Sequence, residues 1–147
     1  MSVALLDVNV LIALIDPEHP NHEDAHRWFA KQRSAGWATC PITVNACVRI
    51  LSNPAYGAVN ATPAAIVTLM SSMCSLSGHQ FWQDSVSLLD GRIFRSELLK
   101  RHNQITDAYL LGLAFHHRGK LATFDRSIPW KAVVGAKANH VDLIGSH

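Results

Sequence analysis

Two short apolar runs in this chain, Val3–Asp7 and Leu121–Asp125, each end in an aspartate. Runs of this length with no polar alternation are the mark of strands covered on both faces, as in a parallel sheet. Helical segments fill the space between them. Val10–Ile15 reads as a short helix stopped before Pro17. A second helix opens at Pro20-Asn21, with Glu23 and Asp24 in its first turn and Lys31 and Arg33 in its last. Gly36–Cys40 is predicted to be a strand and Thr43–Leu51 a helix. A further helix is capped by Thr62, with Pro63 at its first position, and runs to about Leu76. Phe81–Asp84 is predicted to be a strand, and Ser87–Phe94 and Ser96–Arg101 short helical pieces. Thr106–His117 is a long helix with Thr106 as its predicted cap, and Val141–Ile144 a last strand. Strands alternating with helices imply a three-layer α/β/α architecture on a mostly parallel sheet of four to five strands. At 147 residues the chain, 1–147, is expected to form one domain.

Composition narrows the class. A hydrophobic fraction of 48% against 16% charged residues excludes intrinsic disorder. No apolar run approaches the ~18 residues of a membrane span, and the opening Met1-Ser2-Val3 lacks the basic start of a signal peptide. Three cysteines, Cys40, Cys47 and Cys74, read as free thiols of a reducing compartment, so a cytoplasmic protein is expected. The net charge of +2 permits a nucleic-acid partner without requiring one.

The placement of the 11 acidic residues says more than their number, because none lies between Asp24 and Asp84. In open parallel sheets, ligands bind beyond the carboxyl ends of the strands. Asp7 and Asp125 end predicted strands, and Asp107 begins a helix that opens on the same edge. Gathered carboxylates repel and raise one another's pKa unless a cation lies among them. Hard oxygen ligands suit Mg²⁺ or Mn²⁺. Each acid also has a plainer reading. Asp107 is a favourable charge at a helix start, and Asp125-Arg126-Ser127 is good turn chemistry. Asp7 is harder to dismiss, since an acid closing a buried apolar run is costly without a partner.

Several motifs, in order along nearly the whole chain, resemble those of PIN-domain ribonucleases, in particular the VapC toxins of type II toxin–antitoxin systems. They are Leu5-Leu6-Asp7-Val8-Asn9-Val10-Leu11, Pro41-Ile42-Thr43, Val48-Arg49-Ile50-Leu51-Ser52-Asn53-Pro54, Gln104-Ile105-Thr106-Asp107-Ala108-Tyr109-Leu110 and Leu121-Ala122-Thr123-Phe124-Asp125. The resemblance implies an Mg²⁺- or Mn²⁺-dependent endoribonuclease, a homodimer, inhibited by a VapB-type antitoxin. It assigns catalysis and metal binding to Asp7, Asp107 and Asp125, with Asn9, Thr43, Asn45, Thr106 and Thr123 as supporting polar groups. One departure stands out. The family usually carries an acid just after the Thr43 position, and this chain has Val44 there, followed by Asn45. The acid-free interval leaves no neighbouring carboxylate to take its place. Weakened activity is therefore expected, with a catalytically silent module that binds antitoxin or nucleic acid as the alternative.

Other features have both a functional and a plain structural reading. Arg49, Arg92, Arg95, Lys100, Arg101 and Arg126 are candidate RNA contacts, set against solvated helix faces. His22 and His26, four apart on one helix face with Glu23 after the first, have the spacing of a zinc pair, set against the plainer reading of a solvated amphipathic helix face. His102 is read as a loop histidine. Tryptophans and tyrosines are scattered, do not form a stacking platform, and are expected mostly in the core. Val10, Leu11, Leu14, Ile15 and the faces of the Thr43 and Thr62 helices carry more apolar surface than one core needs, which predicts a dimer or antitoxin interface. A receiver-type phosphotransfer domain was a third reading. It lacks paired early acids and a well-placed late lysine.

Overall fold

A computed structural model of the chain describes residues 2–145. Strand β1 (Ala4–Leu6) is wholly buried and leads at once into helix α1 (Val8–Ile15). There follow α2 (His22–Gln32), β2 (Trp37–Thr39), α3 (Pro41–Leu51), α4 (Pro63–Cys74), β3 (His79–Phe81), α5 (Ile105–His116), β4 (Lys120–Thr123) and β5 (Val141–Leu143). The sheet has five strands in the order β3-β2-β1-β4-β5. All four pairings are parallel. The expected three-layer α/β/α architecture is thus present. After β1 the chain builds outward through β2 and β3. It then crosses back and builds the other way through β4 and β5, so the direction reverses between β1 and β4.

Two apolar clusters flank the sheet. On one side Leu6, Val10, Leu11, Phe29, Trp37, Leu51, Ile66 and Met70 pack together, and on the other Leu5, Trp82, Phe94, Leu110, Leu111, Leu113, Leu121 and Val133. Alternate residues of β1 therefore feed opposite cores, as the period of a strand requires. Helix α1 is enclosed: Val10 and Leu11 are fully buried and Leu14 nearly so. The α1 residues expected at an interface are core instead, because α1 is packed among α2, α3 and the sheet. The apolar surface lies on α4 and β3, where Val67, Leu69 and Phe81 are about half exposed.

The histidine pair on α2 has a structural partner. His22 Nδ1 donates to the Ala13 carbonyl at 2.7 Å and His26 Nε2 to the Leu14 carbonyl at 2.8 Å. These are last-turn carbonyls of α1 that no helical N–H reaches, so the pair closes a helix end.

Several boundaries differ from expectation: α1 and α3 each start two residues earlier than read, at Val8 and Pro41, and three further differences have clear causes. β3 starts two residues earlier than the apolar pair Phe81-Trp82 implied, because pairing of Trp37 with His79 sets the register. As an edge strand it accommodates His79 and Gln80. Residues 87–94 form turns, held by Asp90, which accepts from the Arg92 backbone and pairs with its guanidinium. Thr106 is not a cap: α5 begins at Ile105 behind Gln104, continuing a 3₁₀ turn, His102–Gln104. Thr62 does cap α4, accepting from Ala65 N at 3.2 Å, with Pro63 behind it.

Helix α5 lies close over the loop before it. A Cβ added at Gly112 would sit 2.3 Å from Phe94 Cζ, and Phe94 is only 2% exposed, so its ring has little room to yield. Gly112→Ala is expected to destabilise the fold by about 1–3 kcal/mol, the usual penalty of overpacking. Urea denaturation checks this, and an unchanged midpoint would contradict the packing described.

Candidate active site

The site is assembled where β1 and β4 end side by side. Asp7 follows β1 and is the N-cap of α1, in extended geometry. Its carboxylate is 5% exposed and doubly held. Oδ1 accepts from Val8 N at 2.7 Å, and Oδ2 accepts from the Thr123 hydroxyl at 2.8 Å. The Asp7 backbone N–H continues the β1–β4 ladder by donating to Ala122 O at 2.9 Å. Thr123, the last residue of β4, is fully buried. Its Oγ also accepts from Asp125 N at 3.0 Å and from Asn9 Nδ2 at 3.4 Å. One hydroxyl thereby fixes Asp7, Asn9 and the backbone of Asp125 together.

The Asp125 carboxylate is set by Ser127, which donates to its Oδ1 from N at 2.8 Å and from Oγ at 2.7 Å. These bonds hold the Asp125 carboxyl below its ordinary range, so it stays ionised. The turn chemistry of Asp-Arg-Ser is thus realised, and it orients the acid. Asp107 stands in the first turn of α5. Burial, then the charges of Asp7 and Asp125, raise its pKa to about 7, and a hydrogen bond with the Asp125 carboxyl adds to the shift. Burial also raises the pKa of Asp7, against the opposing pull of Thr123 and Val8, and Asp125 adds to the rise.

The three acids therefore sense one another. Among the described residues, no three His, Cys, Asp or Glu side chains form a group that could hold a metal ion by themselves. Asp7, Asp107 and Asp125 form an open set instead. Such a set suits Mg²⁺, which usually keeps several waters and takes one or two carboxylates. A second observation agrees: Asn9 Oδ1 is buried beside Asp7 and Thr123 without a hydrogen-bond partner among the described residues. An orphaned carbonyl oxygen next to mutually repelling carboxylates is a place for a hydrated cation.

The remaining predicted residues are placed differently. Thr43 is buried at the start of α3 and is bonded to the backbone of Cys40. Asn45 and Thr106 are exposed and make no side-chain hydrogen bond among the described residues. Val44 lines an apolar cavity of about 210 Å³ with Val48, Val67, Met70 and Cys74, and so adds no oxygen to the acids. Among the basic residues, Arg126 borders the same cavity as Asp125. Arg92 is paired with Asp90, Arg95 and Lys100 reach main-chain carbonyls, and Arg49 and Arg101 are exposed. Ser127, read from the sequence only as a turn residue, and Gln104, only as part of a motif, both support the site. Gln104 Oε1 accepts from Lys100 N at 2.8 Å and Arg101 N at 3.2 Å, bracing the turn that leads into Asp107.

The comparisons with known proteins place the chain. The family model for the PIN domain matches residues 4–133. The chain belongs to the PIN family. Within it, this PIN domain is 44% identical to Ribonuclease VapC44 of Mycobacterium tuberculosis over 138 residues, covering 94% of this chain and 96% of the relative. It is 45% identical to Ribonuclease VapC39 of the same organism over 132 residues, covering 90% and 95%. Solved PIN structures share its fold. VapC20 of M. tuberculosis, a Sarcin-Ricin loop cleaving toxin, superposes with a TM-score of 0.62 at 15% identity, covering 92% of this chain and 99% of that one. VapBC2 from Rickettsia felis, bound to a DNA fragment from their promoter, gives 0.56 at 12% identity, covering 96% of both.

The raised pKa of Asp107 links the site to stability. Below about pH 4, near its ordinary value of 3.8, Asp107 is protonated whether the chain is folded or not. From there to its folded value of about 7, the unfolded chain releases the proton and the fold retains it. Stability therefore falls as pH rises through this window, and the full penalty persists above it. Asp107→Asn is expected to gain steadily on the wild type between these limits in urea denaturation. A difference that is constant with pH would refute the assignment.

Proposed function

We propose that this chain is a metal-dependent endoribonuclease acting in the cytoplasm as the toxin of a toxin–antitoxin pair, restrained by a VapB-type antitoxin. The observation that carries this reading is the meeting of Asp7, Asp107 and Asp125 at the β1–β4 reversal. It occurs in a chain 44% identical to a ribonuclease over nearly its full length. Absence of any helix long and apolar enough to cross a membrane, among the described residues, is compatible with that setting. So are three free cysteines.

Asp7, Asp107 and Asp125 would hold Mg²⁺ or Mn²⁺, with Asn9 Oδ1 reaching it directly or through water. Such a cation, when bound, supplies a polarised water and a positive charge facing the phosphodiester oxygens. The protein's share is orientation and the placement of charge. Thr123 and the Val8 N–H hold both Asp7 oxygens, so this carboxylate needs no rearrangement during the reaction. Ser127 keeps Asp125 ionised. The raised pKa of Asp107, about 7, belongs to the carboxyl cluster alone, and a cation held there would favour its ionised form. Exposed Arg49, Arg101 and Arg126 are free to meet phosphates flanking the cleaved bond. The apolar surface of Val67, Leu69 and Phe81 fits a homodimer contact or an antitoxin segment.

Purified chain is expected to cut RNA in Mn²⁺ or Mg²⁺, and EDTA should abolish the cutting. Asp7→Asn, Asp107→Asn and Asp125→Asn should each lower the rate by about 10²–10³-fold, the usual loss when one group of a preorganised charged site is removed. Full activity in any of the three would remove that acid from the site. Absence of cleavage by the wild type, with antitoxin binding intact, would favour the silent module instead.

The valine at position 44 leaves the site with three carboxylates, and we propose that the enzyme works below the capacity of its relatives for that reason. Val44→Glu is expected to raise both Mn²⁺ affinity and cleavage rate. If titration calorimetry and RNA cleavage show no change in either, the attenuation is not due to this position.

A further inference from the structure

We infer that the cavity beside Asp125 is a nucleobase subsite, with the Trp130 indole as its stacking surface; this rests on the chain being a ribonuclease. The cavity holds about 200 Å³ and is bounded by Asp125, Arg126, Ile128, Trp130, Val141 and Leu143. That is below the ~300–1,000 Å³ of clefts for drug-sized ligands, and suits one planar ring system. It shares a wall with the acid cluster, so a base seated in it belongs to a nucleotide next to the cleaved phosphate.

Trp130 differs from the other three tryptophans. Trp28 and Trp82 donate their indole N–H to Asp142 and Gln80, and that of Trp37 is buried. Trp130 is partly exposed, and its N–H is neither bonded within the described residues nor buried. Its ring packs on the apolar cluster of Leu5, Phe94 and Leu121 yet stays partly exposed beside the acids, so it has apolar surface and a donor to offer. Every nucleobase has a π-face and edge acceptors, which is why stacking on aromatic rings recurs in recognition of single-stranded nucleic acid.

Two cations stand at the cavity and the ring. Arg126 borders the cavity, and Lys131 Nζ lies 5.6 Å from the Trp130 ring centroid. The indole also borders a second cavity with Leu98, Pro129 and Lys131, so it is a wall between two hollows. The one acid in the cavity is Asp125 itself, and Asp142 turns away to Lys120 and Trp28. A ring with Lys131 over it and Arg126 at the edge of the same cavity, adjoining a carboxylate of the acid cluster, fits a base with phosphates on either side of it.

The turn is built to hold this geometry. Ser127 fixes Asp125, Ile128 is 6% exposed and anchors the loop in the core, and Trp130 N donates to Ile128 O at 2.9 Å. Trp130 thus stands at a set distance along a braced segment, five residues beyond the acid.

The test uses synthetic oligoribonucleotides spanning a site that the wild type cuts in total RNA, either intact or with a single abasic riboside at each position near the cut. Wild type, Trp130→Leu and Trp130→Phe are compared by kcat/KM, with thermal denaturation confirming that each variant folds. Leucine keeps apolar contact without stacking, and phenylalanine keeps a ring. At one position, loss of the base should lower kcat/KM by about 5–150-fold in the wild type, the range expected for one stacked base. The same loss should leave Trp130→Leu nearly unaffected, and Trp130→Phe should retain part of the sensitivity. Equal abasic penalties in wild type and Trp130→Leu at every position would overturn the subsite while leaving the ribonuclease reading intact. A wild type that cuts no RNA overturns both.

Discussion

The buried hydroxyl of Thr123 is the contact on which the site depends. It donates to Asp7 and accepts from Asp125 N and Asn9, and so joins the ends of two neighbouring strands through one oxygen. A carboxylate as enclosed as Asp7 is costly unless both its oxygens are satisfied. Here one oxygen takes the first N–H of α1 and the other takes Thr123. The same bonds that make Asp7 tolerable also aim it. Structural and functional readings of this residue are therefore two descriptions of one arrangement.

The rest of the fold keeps that junction rigid. β1 is buried on both faces and feeds two separate cores through alternate side chains. α1 must start at Asp7, and its far end is closed by His22 and His26 from α2. Against this support the acids hold an unfavourable electrostatic state. Asp107 keeps a proton near neutral pH because it is half-buried beside two other carboxyls. A cluster that weakens the fold in this way is expected where charge is gathered for chemistry.

Much of this was readable along the chain. Apolar runs ending in Asp7 and Asp125 gave away two buried strands and their carboxyl ends, because a parallel sheet leaves little choice about where such runs go. Thr62 and Pro63 marked the start of α4 correctly, since capping is a local matter. Where local signals competed with pairing, reading failed. β3 follows the register of β2 rather than its own most apolar residues. The turns of residues 87–94 depend on Asp90 and Arg92 bonding to each other. Thr106 looked like a cap, but the 3₁₀ turn ahead of it had already begun the helix.

By itself the sequence determined the order of strands and helices and the positions of Asp7, Asp107 and Asp125 at strand ends and a helix start, while the acid expected at Val44 came from the family resemblance. The first two follow from periodicity, chain position and residue type, which are properties of neighbours along the chain. Only the tertiary structure decided which groups touch. It put Val44 in an apolar groove, gave the α2 histidines to the end of α1, and set Ser127 behind Asp125. It also left the indole N–H of Trp130 unbonded among the described residues and open at the cavity beside Asp125, while those of the other tryptophans are bonded or buried. The physical reason is that burial and hydrogen-bond partners are settled by contacts between residues as far apart as Asp7 and Thr123, and no local pattern encodes those.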